Sequence, residues 1–169
     1  LSPGQESTRE VLTTIERVGR GALTEMRRLI GMLRSEEGDG LAPQPGVSDI
    51  ATLVGQMRSA GVQVELRMEG EPHDIPVGID LSAYRIVQEG LTNALKYAGD
   101  ARTSVRIRYA ADSLQLEILD DGRGRPAEGE QGGHGLVGMR ERVALYGGTL
   151  DAGRRPAGGF AVRVLLPIR

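Results

Sequence analysis

The chain has no cysteine and no tryptophan, and only one phenylalanine, one asparagine and one lysine among 169 residues. Without cysteine there is no disulfide framework, no thiolate metal site and no thiol nucleophile. Four tyrosines and one phenylalanine are too few to stack successive bases. No basic stripe offsets a net charge of −2, so direct nucleic-acid contact is not expected. No apolar run approaches the roughly 20 residues of a membrane-spanning helix, and no secretory signal is present. The sequence opens at Leu1 directly before a helix-like pattern, which reads as a piece of a longer protein and leaves membrane anchoring of the parent open.

Glycine is what the chain has in excess. Its 25 residues are roughly double the ordinary share, and many fall between Gly122 and Gly159. The lone Asn93 and the lone Lys96 share one stretch, Leu81 to Ala98. At about 100° per residue, Tyr84, Val87, Leu91, Ala94, Leu95 and Ala98 form one stripe of a helix, with Arg85, Glu89, Thr92, Asn93 and Lys96 opposite. A polar helix face is ordinarily just solvated. Here a chain that makes its cations from arginine has placed a single ammonium beside a single amide. An amide oxygen suits a hard cation such as Mg²⁺, and a compact ammonium suits a phosphate.

In chain order, a three-four repeat from Val11 to Leu33 predicts a long N-terminal helix over Glu6–Leu33 that wants a partner helix. Residues 36–47, rich in Gly, Pro and acid, read as a linker, with the main domain over 48–169. Ser48 or Asp49 is expected to cap a short helix through Ala60, with Gly61 at its end. Val62 to Met68 alternates as a strand. Asp80 is the expected N-cap of the Asn93 helix, and Gly99 its stop. Strands follow at Thr103–Tyr109 and Leu114–Leu119, joined by a hairpin. A helix is expected over Leu136–Tyr146, then strands at Thr149–Ala152 and Gly158–Leu166. Strands and helices that do not strictly alternate predict an α+β fold, a two-layer α/β sandwich with helices on one face of a mostly antiparallel sheet.

Two further pieces could carry chemistry. Asp120-Asp121-Gly122-Arg123-Gly124 leaves a strand at a tight turn, where a carboxylate could accept from a flat ring that glycines let approach; the same pattern is ordinary turn chemistry. Gly133-His134-Gly135-Leu136 opens a helix, whose free N–H groups favour an anion, although a flexible loop before a helix is also common. Together with Glu89, Asn93 and Lys96, these describe one site for a nucleotide and its magnesium.

In this order, E-x-x-x-N-x-x-K, D-x-G-x-G and G-x-G-L resemble the ATP-binding domain of two-component sensor histidine kinases. These belong to the GHKL (Bergerat-type) superfamily, which also holds gyrase and mismatch-repair ATPases. RIVQEGLTNALKYA is similar to the N box, and GLVGMRERV to the G2 box, of the branch whose response regulators carry LuxR-type DNA-binding domains. The resemblance runs from Asp49 to the C-terminus.

The resemblance implies the cofactors ATP and Mg²⁺. Asn93 matches the magnesium ligand, and Lys96 and Tyr97 match phosphate or ribose contacts, Tyr97 standing where relatives often have histidine. Asp120 matches the adenine-reading carboxylate, flanked by Gly122 and Gly124. Residues 123–133 match the lid, and Gly133, Gly135 and Leu136 the phosphate-facing helix start. Glu89 matches the catalytic acid, which activates water in related ATPases and assists proton removal or Mg²⁺ hydration in kinases. Gly159-Phe160 departs from the usual Gly-Thr and lacks its hydroxyl. Residues 1–35 resemble the second helix of a dimerisation and phosphoacceptor domain, which implies a homodimer, an acceptor histidine upstream of Leu1 and a cytoplasmic location for this portion. His73, in a proline-flanked loop, is not expected to be the acceptor. The alternatives are a GHKL ATPase that couples hydrolysis to conformational change and an interaction module without nucleotide.

Overall fold

The computed structural model describes residues 43–97, 101–122 and 133–168. The expected helix over Glu6–Leu33, most of the linker, Gly124 and most of the expected lid lie outside the described residues. Gln44–Arg169 forms one compact unit. Its elements are a 3-10 turn Val47–Asp49, α1 Ile50–Ser59, β1 Gln63–Glu69, α2 Val77–Tyr97, β2 Arg102–Tyr109, β3 Ser113–Asp120, α3 Gly133–Leu145, β4 Thr149–Arg154 and β5 Phe160–Pro167.

The five strands form one sheet in the order β1-β2-β3-β5-β4. β1 and β2 are parallel, and every other pair is antiparallel. The single parallel pair needs a crossover, and α2 supplies it. Such a helix returns antiparallel to the strands it joins, so α2 runs in the same sense as β3.

The expected alternation holds in the central strands. Thr103, Val105 and Ile107 of β2, Leu114, Leu116 and Ile118 of β3, and Val162, Val164 and Leu166 of β5 are all buried. They pack beneath Ile50, Leu53 and Val54 of α1, Ile86, Val87 and Leu91 of α2, and Met139 and Val143 of α3. The α+β two-layer sandwich expected from the sequence is therefore the fold. β1 is the exception: Val64 is buried, but Met68 is 46% exposed. Among the described residues it is an edge strand with β2 as its only partner, so apolar alternation outruns its cover.

The opposite face of the sheet carries a charge ladder across the strands. Arg106 pairs with Glu69 at 3.3 Å and with Glu117 at 3.2 Å, and Arg163 pairs with Glu117 at 2.9 Å. Exposed pairs of this kind add little stability, but they keep this face polar and the apolar layer on the other side.

Helix α2 departs from the sequence reading at its N-terminal end, while the expected stop at Gly99 lies outside the described residues. It begins at Val77, four residues before Leu81, because the Pro76 carbonyl accepts from Ile79 and Asp80 N–H at 2.9 and 3.0 Å. Asp80 is thus inside the first turn and is no cap. Its Oδ1 accepts from Val47 N–H at 2.8 Å, which ties the 3-10 turn to the helix and helps seat buried Val47. Asp49 occupies the cap position of α1 without capping it; its Oδ2 accepts from Gly46 N–H at 2.9 Å.

The buried stripe of α2 runs through Ile79, Ala83, Ile86, Val87, Leu91 and Ala94. Leu95 lies one position past its edge and is 42% exposed, against 0% for Leu91. Gly90 sets the depth of the helix, since a Cβ there would strike the Ile118 side chain. His73 sits in the loop before α2, its Nδ1 3.2 Å from the Glu71 carbonyl oxygen. Its ring meets Tyr109 edge-on at 5.7 Å. Burial pushes the Tyr109 phenol pKa up, and the Asp80 carboxylate adds to the shift.

Denaturant unfolding checks the phase of α2. Leu91→Ala is expected to cost about 2–5 kcal/mol, and Leu95→Ala within about 0.5 kcal/mol; equal losses would contradict the observed stripe.

Candidate nucleotide site

Three elements build the site: the polar ridge of α2, the first turn of α3 and the end of β3. On α2, Arg85, Gln88 and Thr92 satisfy one another locally. Arg85 Nη1 donates to Gln88 Oε1 at 2.9 Å, and Thr92 Oγ1 donates to the Gln88 carbonyl at 2.8 Å. Glu89, Asn93 and Lys96 form the adjoining ridge at i, i+4 and i+7, and none of their side chains has a hydrogen bond or ion pair among the described residues. Glu89 and Asn93 are half-buried and Lys96 is exposed. Lys96 also lies in the last turn of α2, where a cation is favoured by the helix dipole whatever its function. Tyr97 is the final residue of the helix.

The Glu89 carboxylate lies directly against Gly135, in the first turn of α3, and its Oε1 occupies the space a Gly135 side chain would fill. Gly133 is the first residue of α3, and Leu136 is half-buried against the core. At the other end of α3, the Tyr146 hydroxyl lies against Gly78 near the start of α2. The two helices are therefore antiparallel, which brings the N-terminus of α3 to the Glu89 half of α2.

The adjacent aspartates of the β3 turn are separated by their hydrogen bonding. Asp121 Oδ1 accepts from Arg102 N–H at 2.7 Å, and its own N–H donates to the Arg102 carbonyl at 3.2 Å, so Asp121 fastens the turn to β2. Asp120 shares the parity of Ile118 and Leu116, which puts it on the helix-facing side. Its Oδ1 accepts from Gly122 N–H at 3.0 Å, and among the described residues Oδ2 has no hydrogen-bond partner.

Two contacts from the β4–β5 hairpin hold this turn, and the sequence reading missed both. Arg155 Nη1 donates to the Asp120 carbonyl oxygen at 2.8 Å. Gly159, with φ +84°, lies so close that a Cβ would strike that same carbonyl. Only glycine combines this backbone conformation with this approach. The signal was present as the Gly158-Gly159 pair before a strand, but its target lies 39 positions earlier in the chain. Phe160, in the place of the expected threonine, is half-buried and shares the parity of Val162, so it too lies on the helix side.

Because α2 runs in the same sense as β3 and is seated on it at Gly90 and Ile118, its Asn93 and Lys96 turns lead toward the Asp120 end. Gly124 lies outside the described residues. Among the described residues, no group of three or more His, Cys, Asp or Glu side chains gathers to hold a metal. An amide with one carboxylate nearby is a donor set that fits a cation carried in by phosphates rather than an all-protein cage.

The chain belongs to the histidine kinase-, DNA gyrase B- and HSP90-like ATPase family, whose model matches residues 78–169. Within it, the chain is 32% identical to the sensor histidine kinase LnrJ of Bacillus subtilis over 90% of its own length and 37% of that protein. It is 35% identical to the histidine-protein kinase/phosphatase UhpB of Salmonella typhimurium over 92% of its length and 30% of the relative. It therefore spans well under half of the curated relatives it matches. The fold is that of the blue-light-activated histidine kinase domain from Erythrobacter litoralis, with a TM-score of 0.59 at 21% identity, covering 80% of this chain and 68% of that one. The mycobacterial sensor kinase MprB gives a TM-score of 0.54 at 24% identity, covering 72% and 91%.

Two glycine substitutions separate the backbone contact from the side-chain contact by thermal and chemical denaturation. Gly159→Ala is expected to cost more than about 1 kcal/mol, because a strained residue meets a backbone atom that cannot yield. Gly135→Ala is expected to hold or raise stability by up to about 1 kcal/mol, because the Glu89 carboxylate can swing away; the opposite ranking would contradict the geometry.

Proposed function

We propose that the chain is the ATP-binding catalytic region of a sensor histidine kinase, transferring the ATP γ-phosphoryl group to a histidine outside residues 1–169 for relay to a response regulator. The observation that carries this reading is the ridge of Glu89, Asn93 and Lys96, whose side chains have no partner among the described residues and whose Glu89 lies against the first turn of α3, on a helix whose neighbouring polar groups pair locally. Side chains without a partner among the described residues, in a row beside Arg85, Gln88 and Thr92 that pair locally, are available to a ligand.

Magnesium ATP, when bound, supplies the phosphoryl group and the cation charge that neutralises it in transfer. Asp120 would accept from the exocyclic amine of adenine, with Gly122 and Gly124 admitting the ring plane. Asn93 would offer its amide oxygen to the cation, and Lys96 and Tyr97 would face phosphate and ribose. Gly133, Gly135 and Leu136 would present the N–H groups of a helix start to phosphate oxygens. Glu89 is the catalytic carboxylate in this scheme, taking the proton that leaves the acceptor imidazole as its nitrogen attacks.

The domain reading goes with this. Residues 1–35 would be the second helix of a dimerisation and phosphoacceptor domain, 36–47 a linker and 48–169 the catalytic domain. Its support is that matches to the sensor kinases DegS of Brevibacillus brevis and YxjM of Bacillus subtilis extend over 98% and 99% of the chain. The assembly would be a homodimer on the cytoplasmic side, and its partner a LuxR-type response regulator, as the N- and G2-box resemblance implies. No described helix is long and apolar enough to cross a membrane.

Calorimetry tests the site. ATP with Mg²⁺ should bind the wild type, Asn93→Ala should weaken that binding by about tenfold or more, and Asp120→Asn should do likewise. No binding by the wild type would contradict the reading. With labelled ATP, the chain should leave no stable label on His73 or His134. Rapid steady-state hydrolysis abolished by Glu89→Gln would favour the ATPase alternative instead.

A further inference from the structure

Two groups of arginines surround the sheet, and they are used differently. On the open face Arg67, Arg106 and Arg163 each meet a carboxylate within 3.3 Å. Arg58, Arg102 and Arg155 have no ion pair among the described residues, and they line one cavity of about 620 Å³. It lies at the end of the sheet where β1 and β2 begin and β3 ends. Two of the three are fixed by backbone. Arg58, in the last turn of α1, donates through Nε to the Val64 carbonyl at 2.8 Å, and Arg155 donates through Nη1 to the Asp120 carbonyl at 2.8 Å. Each bond holds a guanidinium in place and leaves its remaining N–H donors available. Val64, Thr103 and Asp120 are successive partners across β1, β2 and β3, so the two anchors stand two strand spacings, about 10 Å, apart. Arg102 lies between them, one residue before Thr103. Two carboxylates share the lining. Glu65 is paired with Arg67 at 2.8 Å, and Asp121 accepts from the backbone N–H of Arg102, so three guanidinium charges face a single carboxylate. Glu65 and Arg102 alternate with Val64 and Thr103, and their side chains leave the sheet on the face turned away from the helices. None of Glu89, Asn93, Lys96 and Gly135 lines this cavity.

We propose that this cavity docks an acidic segment of a partner protein, whose carboxylates meet Arg58, Arg102 and Arg155. Charge complementarity names the chemistry, since the donor fork of a guanidinium matches a carboxylate or a phosphate. The spacing selects a peptide. One phosphate group cannot bridge anchors about 10 Å apart, whereas three residues of extended chain, at about 3.3 Å each, span that distance. Because Arg58 and Arg155 are already held by backbone carbonyls, docking costs little of their side-chain freedom.

A fluorescent hexaglutamate peptide is the probe, titrated at low salt against the wild type, Arg102→Gln, the double variant Arg58→Gln/Arg102→Gln and Asn93→Ala, with a melting curve for each. The wild type should bind it, and salt at about 1 M, where the Debye length is about 3 Å, should abolish the binding. Arg102→Gln should weaken binding about tenfold, the worth of one charge-assisted hydrogen bond, and the double variant should weaken it further. Asn93→Ala should bind as the wild type does. The Arg102 side chain makes no bond among the described residues, so Arg102→Gln should melt with the wild type and carries the test even if the double variant unfolds. Absence of hexaglutamate binding, or equal binding by Arg102→Gln, would overturn the proposal. So would loss of binding in Asn93→Ala, which would put the peptide on the α2 ridge. Displacement of the peptide by pyrophosphate at matched ionic strength would also overturn it, making the cavity a site for small anions.

Discussion

The seat of α2 on β3 is the constraint on which the rest depends. Gly90 has no side chain, so the helix comes down onto Ile118, and that close approach fixes both its depth and its rotation. With Ile86, Val87 and Leu91 turned into the core, Glu89, Asn93 and Lys96 have no freedom to face elsewhere. The same contact aligns the ridge with β3, whose next helix-facing residue after Ile118 is Asp120. A larger residue at Gly90 would lift the helix and separate the two halves of the site without touching any polar group.

Around that seat the supports are backbone contacts more than side-chain pairs. Arg155 and Gly159 hold the Asp120 carbonyl, Asp121 fastens the turn to Arg102, and Gly135 leaves the space that the Glu89 carboxylate occupies. Contacts of this kind position a carboxylate while leaving Asp120 Oδ2 without a partner among the described residues, as the proposed binding role requires. The charged face of the sheet shows the contrast. There Glu69, Arg106, Glu117 and Arg163 are consumed by one another.

Much of the fold was legible because its signals are local. Alternation placed β2, β3 and β5, and the three-four repeat placed α2 and α3. What failed were features set by distant partners. Leu95 reads as core by periodicity and Met68 by alternation, but how far cover extends depends on the neighbouring layer. Asp80 reads as a cap by sequence position, yet its acceptor role is spent on Val47, 33 residues away. The polar members of the proposed site stand out in the sequence because Asn93 and Lys96 are unique in the composition and ordered with Asp120. Arg155 and Thr103 do not, since one is an arginine among many and the other an ordinary strand threonine. Both become visible only once the fold puts them beside Asp120.

The central claim is that the α2 ridge, the α3 start and the Asp120 turn are one nucleotide site. The most direct measurement is an amide NMR titration of the isotope-labelled chain with magnesium ATP. The account predicts shifts that saturate together at Glu89, Asn93, Lys96, Asp120, Gly122 and Gly135, with the open sheet face around Arg106 and Arg163 unmoved. Shifts confined to that charged face, or changes at Asp120 without any at Asn93, would contradict it.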